Sequence, residues 1–154
     1  MTTPSHRAAP EDADADAGRF AGRSVARRFV SPDGMIVLVG RTAADNDILL
    51  LRLGAPRDFW LHVAGASGSH VVVRNPDGLD QLPRETLRFA AALAARYSKA
   101  HSAEAQRGRV AVHVATCADV HKPRGVPPGT VVVDRFRTVR IAPWQADEPQ
   151  RARH

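Results

Sequence analysis

Apolar and polar positions alternate with period two over several short stretches of this 154-residue chain, and with a helical period over one long stretch. The runs Arg27-Arg-Phe-Val30 and Met35-Ile-Val-Leu-Val-Gly40 flank Ser31-Pro32-Asp33-Gly34, which predicts a β-hairpin. Thr42 then opens a short helix through the Ile-Leu-Leu-Leu run. Its hydroxyl can cap the first turn, where acids suit the helix dipole. In Asp58-Phe-Trp-Leu-His-Val63, Phe59, Leu61 and Val63 take one face, and Asp58, Trp60 and His62 take the other. A Gly/Ser turn leads into the β-branched strand His70-Val-Val-Val-Arg74, and Asn75-Pro76-Asp77-Gly78 ends it. The longest helix is predicted from Pro83 to Ala100. Phe89, Leu93 and Tyr97 recur every four residues, with alanines between them that permit close packing on a sheet. Strands follow at 109–116, 130–135 and 138–142, and the Pro/Gly-rich loop His121–Gly129 separates the first two. This order predicts an α+β fold: a single domain with a mixed or antiparallel sheet and the short and long helices packed on one face.

The ends are different. Residues 1–18 carry Arg7 against Glu11, Asp12, Asp14 and Asp16 and lack large apolar groups, so we expect a disordered acidic N-terminus. Residues 144–154 read as a second disordered tail, which leaves 19–143 as the folded domain. The net charge is +6. Because residues 1–18 contribute −3, the rest of the chain carries +9. A body this basic favours an anionic partner such as RNA, DNA or an acidic protein. Cys117 is the only cysteine, which excludes a disulfide framework and a multi-cysteine zinc site; it is expected to be a small buried hydrophobe. No secretory h-region or membrane-length apolar run is present, so the expected location is cytoplasmic.

Three segments in order carry a resemblance. Gly40–Arg74 holds a Gly-Arg start, an Asn-Asp pair, a D-x-W-x-H strand and a G-S-H turn. Glu85–Ala100 is an alanine-rich helix ending Tyr-Ser-Lys. Val120–Val133 reads V-x-K-P-R-G-x-x-P-G followed by a strand. Together they resemble the NFACT-R (NFACT RNA-binding) family, the module found at the C-terminal end of the ribosome quality-control factor RqcH. Thr42, Ser67 and Arg124 depart from the family's usual Asn, Pro and Lys, and the missing proline is expected to loosen the 65–69 turn. The resemblance implies binding of structured RNA, tRNA or rRNA, in translation or ribosome quality control. The ribosome is an implied partner, and DNA is a second candidate. The chain is too short for the larger members' other domains, so the synthesis of C-terminal tails is not implied.

The residues themselves suggest how RNA would be held. Trp60, His62 and His70 offer stacking and polar edges. Asp58 can orient a histidine, Gly65 and Gly68 can line a backbone nest, and Ser69 beside them is a further candidate contact. Lys122 and Arg124 sit on a prolyl loop suited to phosphates. Arg41, Arg57 and Arg74 surround the first motif, and Lys99 closes the long helix. A packing role is the alternative for this cluster, with Trp60 partly buried and Asp58 and His70 bonding the turn. Two further functions compete: acid–base RNA cleavage or metal binding by His62, His70 and Asp58, and an adaptor that docks on an acidic protein. No nucleotide-binding, nucleophile-elbow or zinc-protease motif supports catalysis, so the expectation is a non-enzymatic module without cofactor or metal.

Overall fold

The computed structural model describes residues 17–99 and 108–142. The predicted disorder of the extreme termini falls almost wholly outside them. Ala17 and Gly18 are the exceptions. Gly18 is buried, and its carbonyl accepts from Val25 N at 2.8 Å and Ala26 N at 3.2 Å, so ordered packing begins slightly before residue 19.

Among the described residues, ten strands and two α-helices build the domain. A small hairpin, β1 (Arg19–Phe20) and β2 (Arg23–Ser24), leads into β3 (Ala26–Val30) and β4 (Ile36–Gly40). Helix α1 (Ala43–Ile48) continues as a π-helical turn, Leu49–Leu53. There the Gly54 amide bonds the Leu49 carbonyl five residues back at 2.8 Å. Then come β5 (Phe59–Val63), β6 (Val71–Val73), helix α2 (Arg84–Arg96), β7 (Val110–Thr116), β8 (Val120–His121), β9 (Val132–Val133) and β10 (Arg137–Ile141). Six strands form one sheet in the order β10-β7-β5-β6-β4-β3, and every neighbouring pair is antiparallel.

Alternation along the strands gives this sheet two apolar faces. Phe59, Leu61, Val63, Val71, Val73, Val112 and Val114 face α2, where Ala90–Ala95 and Leu93 are buried against them. Phe89 and Tyr97 flank Phe29 with ring centroids 6.4 Å away in each case. Leu38, Trp60, Val72 and Ala115 point the other way, under Leu49, Leu50, Cys117 and Val120. The expectation of helices on one face is therefore corrected: α2 covers one face, and α1 with its π-helical turn covers part of the other. A six-stranded sheet with large apolar residues on both sides needs two covering layers.

The helix starts are capped locally and at long range. Thr42 Oγ1 accepts from Asp45 N at 3.0 Å, as the sequence predicts. At α2 the cap comes from the distant β3–β4 turn. Asp33 Oδ2 accepts from Thr86 N at 3.1 Å and from Thr86 Oγ1 at 2.7 Å, bringing a carboxylate to the helix N-terminus. The helix ends at Arg96, four residues before the predicted Ala100.

Candidate nucleic-acid interface

Hairpin β5–β6 assembles the signature residues around its turn. Leu61 pairs with Val71, which brings His62 and His70 close, with ring centroids 5.3 Å apart. The Trp60 indole stacks beside His62 at 5.8 Å and 14°, and meets the edge of His70 at 5.4 Å. Trp60 Nε1 donates to His70 Nδ1 at 3.2 Å. That bond requires a bare Nδ1, so the proton of the neutral ring sits on Nε2 and donates to the Gly129 carbonyl at 3.1 Å. His70 is 1% exposed, and burial, followed by the neighbouring His62, pushes its pKa down to about 4. His62 is half-buried and is also lowered, chiefly by burial.

The surrounding backbone is locked to this pair. His70 N donates to Asn46 Oδ1 at 3.1 Å, and Gly40 N donates to the His70 carbonyl at 3.0 Å. Residue 40 must be glycine, because a Cβ there would lie 1.9 Å from Asn46 Oδ1. The 65–69 turn is held without its usual proline. Tyr97 O accepts from Ser69 N, and Ser67 O accepts from Lys99 N, both at 2.9 Å. Ser69 Oγ donates to the Gly40 carbonyl at 2.8 Å. Gly68 packs so tightly on Ser98 that a Cβ would come within 2.6 Å.

The proline-rich loop docks on α1 through one acid. Asp47 Oδ1 accepts from Gly129 N at 3.0 Å, and Asp47 Oδ2 pairs with Lys122 Nζ at 3.2 Å. Lys122 Nζ also donates to the carbonyls of Pro127 and Thr130. Three partners use the three N–H donors of an ammonium group. Arg124, two residues on, is exposed and forms no ion pair among the described residues.

A family model described as NFACT protein RNA binding domain matches residues 26–135. The chain belongs to this NFACT RNA-binding family. It is 35% identical over 119 residues to the Rqc2 homolog RqcH of Bacillus subtilis, covering 77% of this chain and 20% of that protein. It is 33% identical over 125 residues to RqcH of Streptococcus suis, covering 80% and 21%. The solved C-terminal structure of the fibronectin/fibrinogen-binding protein from Streptococcus suis superposes with a TM-score of 0.70 at 30% identity, covering 82% of this chain and 49% of that one. This chain thus spans about a fifth of the RqcH relatives it matches.

Within this NFACT-R domain, the predicted contact residues fall into two groups at opposite ends of the β5–β6 hairpin. His62, Ser69, His70, Arg41 and Lys99 lie at the turn end, which the Lys122–Thr130 loop joins through Gly129. Arg57, Asp58 and Arg74 lie at the open end, roughly 13 Å away by strand rise. Asp58 is 3% exposed. Its carboxylate accepts from Ala55 N at 2.9 Å and Asn75 N at 2.8 Å. Arg74 Nε sits 3.1 Å from Asp58 Oδ2, a close ion pair outside hydrogen-bond geometry. Arg57 lies exposed over the Gly78 turn.

Strand alternation alone would put Asp58, Trp60 and His70 on a solvent face, but the second covering layer buries all three. Their polar atoms bind the protein itself, and Lys122 is likewise held inside its loop. Nor do His62, His70 and Asp58 assemble a ligand set: no group of three His, Cys, Asp or Glu among the described residues is placed to hold a metal ion. No described helix is long and apolar enough to cross a membrane. The sequence marks Asn46 and Asp47 only as the Asn-Asp pair of the motif and as polar positions of the short helix, with no structural role assigned. Their role depends on partners 24 and 82 residues away.

Proposed function

We propose that this NFACT-R domain binds structured RNA, tRNA or rRNA, in translation quality control. The observation that carries the reading is the family match over residues 26–135 on a body of charge +9 that leaves cations exposed at the turn end of the hairpin. Phosphates are contacted by Arg41, Lys99 and Arg124, with His62 presenting a half-buried ring beside them. Arg57 and Arg74 extend the positive potential at the far end. Trp60, His70, Ser69 and Lys122 act indirectly by holding the turn and the loop in place, and Asp58 by fixing the hairpin's open end. A further relative, the ribosome quality control complex subunit NEMF homolog of Drosophila melanogaster, is 33% identical over 76 residues, covering 49% of this chain and 8% of that protein, and its name supports a role beside the ribosome.

Two substitutions separate direct from indirect roles. Arg124→Ala is expected to weaken tRNA binding uniformly and to reduce the slope of log K against log salt by about one, with no change in melting temperature. Lys122→Ala leaves Asp47 without its cation and frees two loop carbonyls, so it is expected to lower the melting temperature as well as the affinity. If Arg124→Ala left affinity and slope untouched, the loop would not be a phosphate contact. If Lys122→Ala changed affinity alone, Lys122 would be the direct contact instead.

A further inference from the structure

The layer formed by α1 and the β8–β9 hairpin stops short of the sheet's β10 edge. On that uncovered part, His62 of β5, His113 of β7 and Thr138 of β10 lie side by side in register, and Ala111 pairs with Arg140 in the next row. The Phe136 ring, which enters from the segment before β10, sits 4.1 Å from the His113 ring at a 34° tilt. Rings therefore follow one another across the face, from Trp60 at 2% exposure through His62 and His113 to Phe136 at 49%. Ala111 is small and leaves the floor beside His113 shallow.

Arginines gather around this row. Arg135 and Arg137 flank Phe136 in sequence, Arg140 shares its face by strand alternation, and Arg109 Nη1 reaches the Arg140 carbonyl at 3.5 Å. None of the four forms an ion pair among the described residues. The nearest acid in sequence, Asp134, is bonded to His121 at 2.6 Å. Asp80 and Asp119 line a groove together with Phe136, Arg135 and Arg137, and Arg140 and Arg109 lie outside that groove, so the purely cationic approach runs over these two. An acidic protein partner would need those arginines but not the exposed rings. A nucleic-acid duplex would likewise present phosphates without a free base face.

We propose that the β5–β7–β10 face is a stacking platform for an unpaired RNA base, with Phe136 and His113 under the base and Arg140 and Arg109 beside the phosphates. This rests on the RNA-binding reading above and adds which part of the RNA is gripped. Stacking on an exposed aromatic is sequence-tolerant and requires the base to be out of a helix.

The test uses the full chain with two labelled RNAs of equal length, one single-stranded and one blunt duplex. A 2-aminopurine base in the single strand reports stacking. Phe136→Ala is expected to weaken single-strand binding roughly tenfold to a hundredfold and to abolish the binding-induced quench of 2-aminopurine, while duplex affinity stays within about twofold. Phe136→Tyr keeps the ring and is expected to retain both signals. Phe136 is half-exposed, so melting curves should show both variants folded. If wild type binds both RNAs and Phe136→Ala weakens neither, or weakens both alike, the platform is wrong while RNA binding stands. If wild type binds neither RNA, the platform falls; if it also fails to bind tRNA, the RNA-binding reading falls with it.

Discussion

Trp60→Ala is expected to cost about 3–5 kcal/mol of folding free energy. The indole is 2% exposed among Leu38, Leu49, Leu50, Val72, Ala115 and Cys117, and removing it opens a cavity under the π-helical turn. It also removes the donor that satisfies His70 Nδ1 and leaves a buried acceptor unpaired. A domain of this size is stable by only about 5–15 kcal/mol, so a large share of that stability goes with one side chain. Trp60→Phe keeps most of the apolar volume and loses the donor, with an expected cost of about 1–3 kcal/mol. Urea unfolding followed by far-ultraviolet circular dichroism measures both. The RNA affinity of folded Trp60→Phe should stay close to wild type. A fall of tenfold or more with unchanged stability would make Trp60 a direct stacking residue and contradict its burial.

Acid should loosen the same site through His70. Its folded pKa of about 4 lies below the ordinary 6.5, so between those values the unfolded chain holds a proton that the folded chain excludes. The stability from the neutral ring is fully present above about pH 6.5 and is lost as pH falls towards 4. A shift of this size corresponds to roughly 3 kcal/mol, and the lowered pKa of His62 acts in the same direction. Geometry agrees. A protonated His70 would point an Nδ1 proton at the indole N–H that now donates to it. The check is the urea midpoint of wild type and His70→Gln at pH 7, 6 and 5. The variant should be weaker at pH 7 and its midpoint should fall less on acidification. Equal slopes for the two proteins would show that His70 does not titrate in this window.

Much of the architecture is legible in local pattern. The Ser31–Gly34 hairpin turn, the Thr42 cap, the Phe89–Leu93–Tyr97 stripe and the β5–β6 hairpin all follow from signals within a few residues, and each is found where the pattern puts it. Alternation also sorted Phe59 and Leu61 from Asp58 and Trp60. What it could not fix was whether the polar face meets solvent or a second layer of protein. For Asp58, Trp60 and His70 the sequence leaves a surface cluster and a packing role both open, because polar residues alternating with apolar ones usually face water. Here α1 and the chain around Cys117 and Val120 cover them. The surroundings of Lys122 were hidden for a similar reason. A lysine in a Pro/Gly loop reads as solvated, and its partner Asp47 lies on a helix far back in the chain. Phe136 carried no periodic signal, and only the register of β7 and β10 sets it beside His113.

The central claim is that this domain is an RNA-binding module, and it is tested most directly by titrating the full chain into labelled tRNA across a salt series, with duplex DNA beside it. The account predicts saturable binding, a log K that falls linearly with log salt, and a preference for tRNA over DNA that persists at moderate salt. No binding to tRNA at low salt would contradict it.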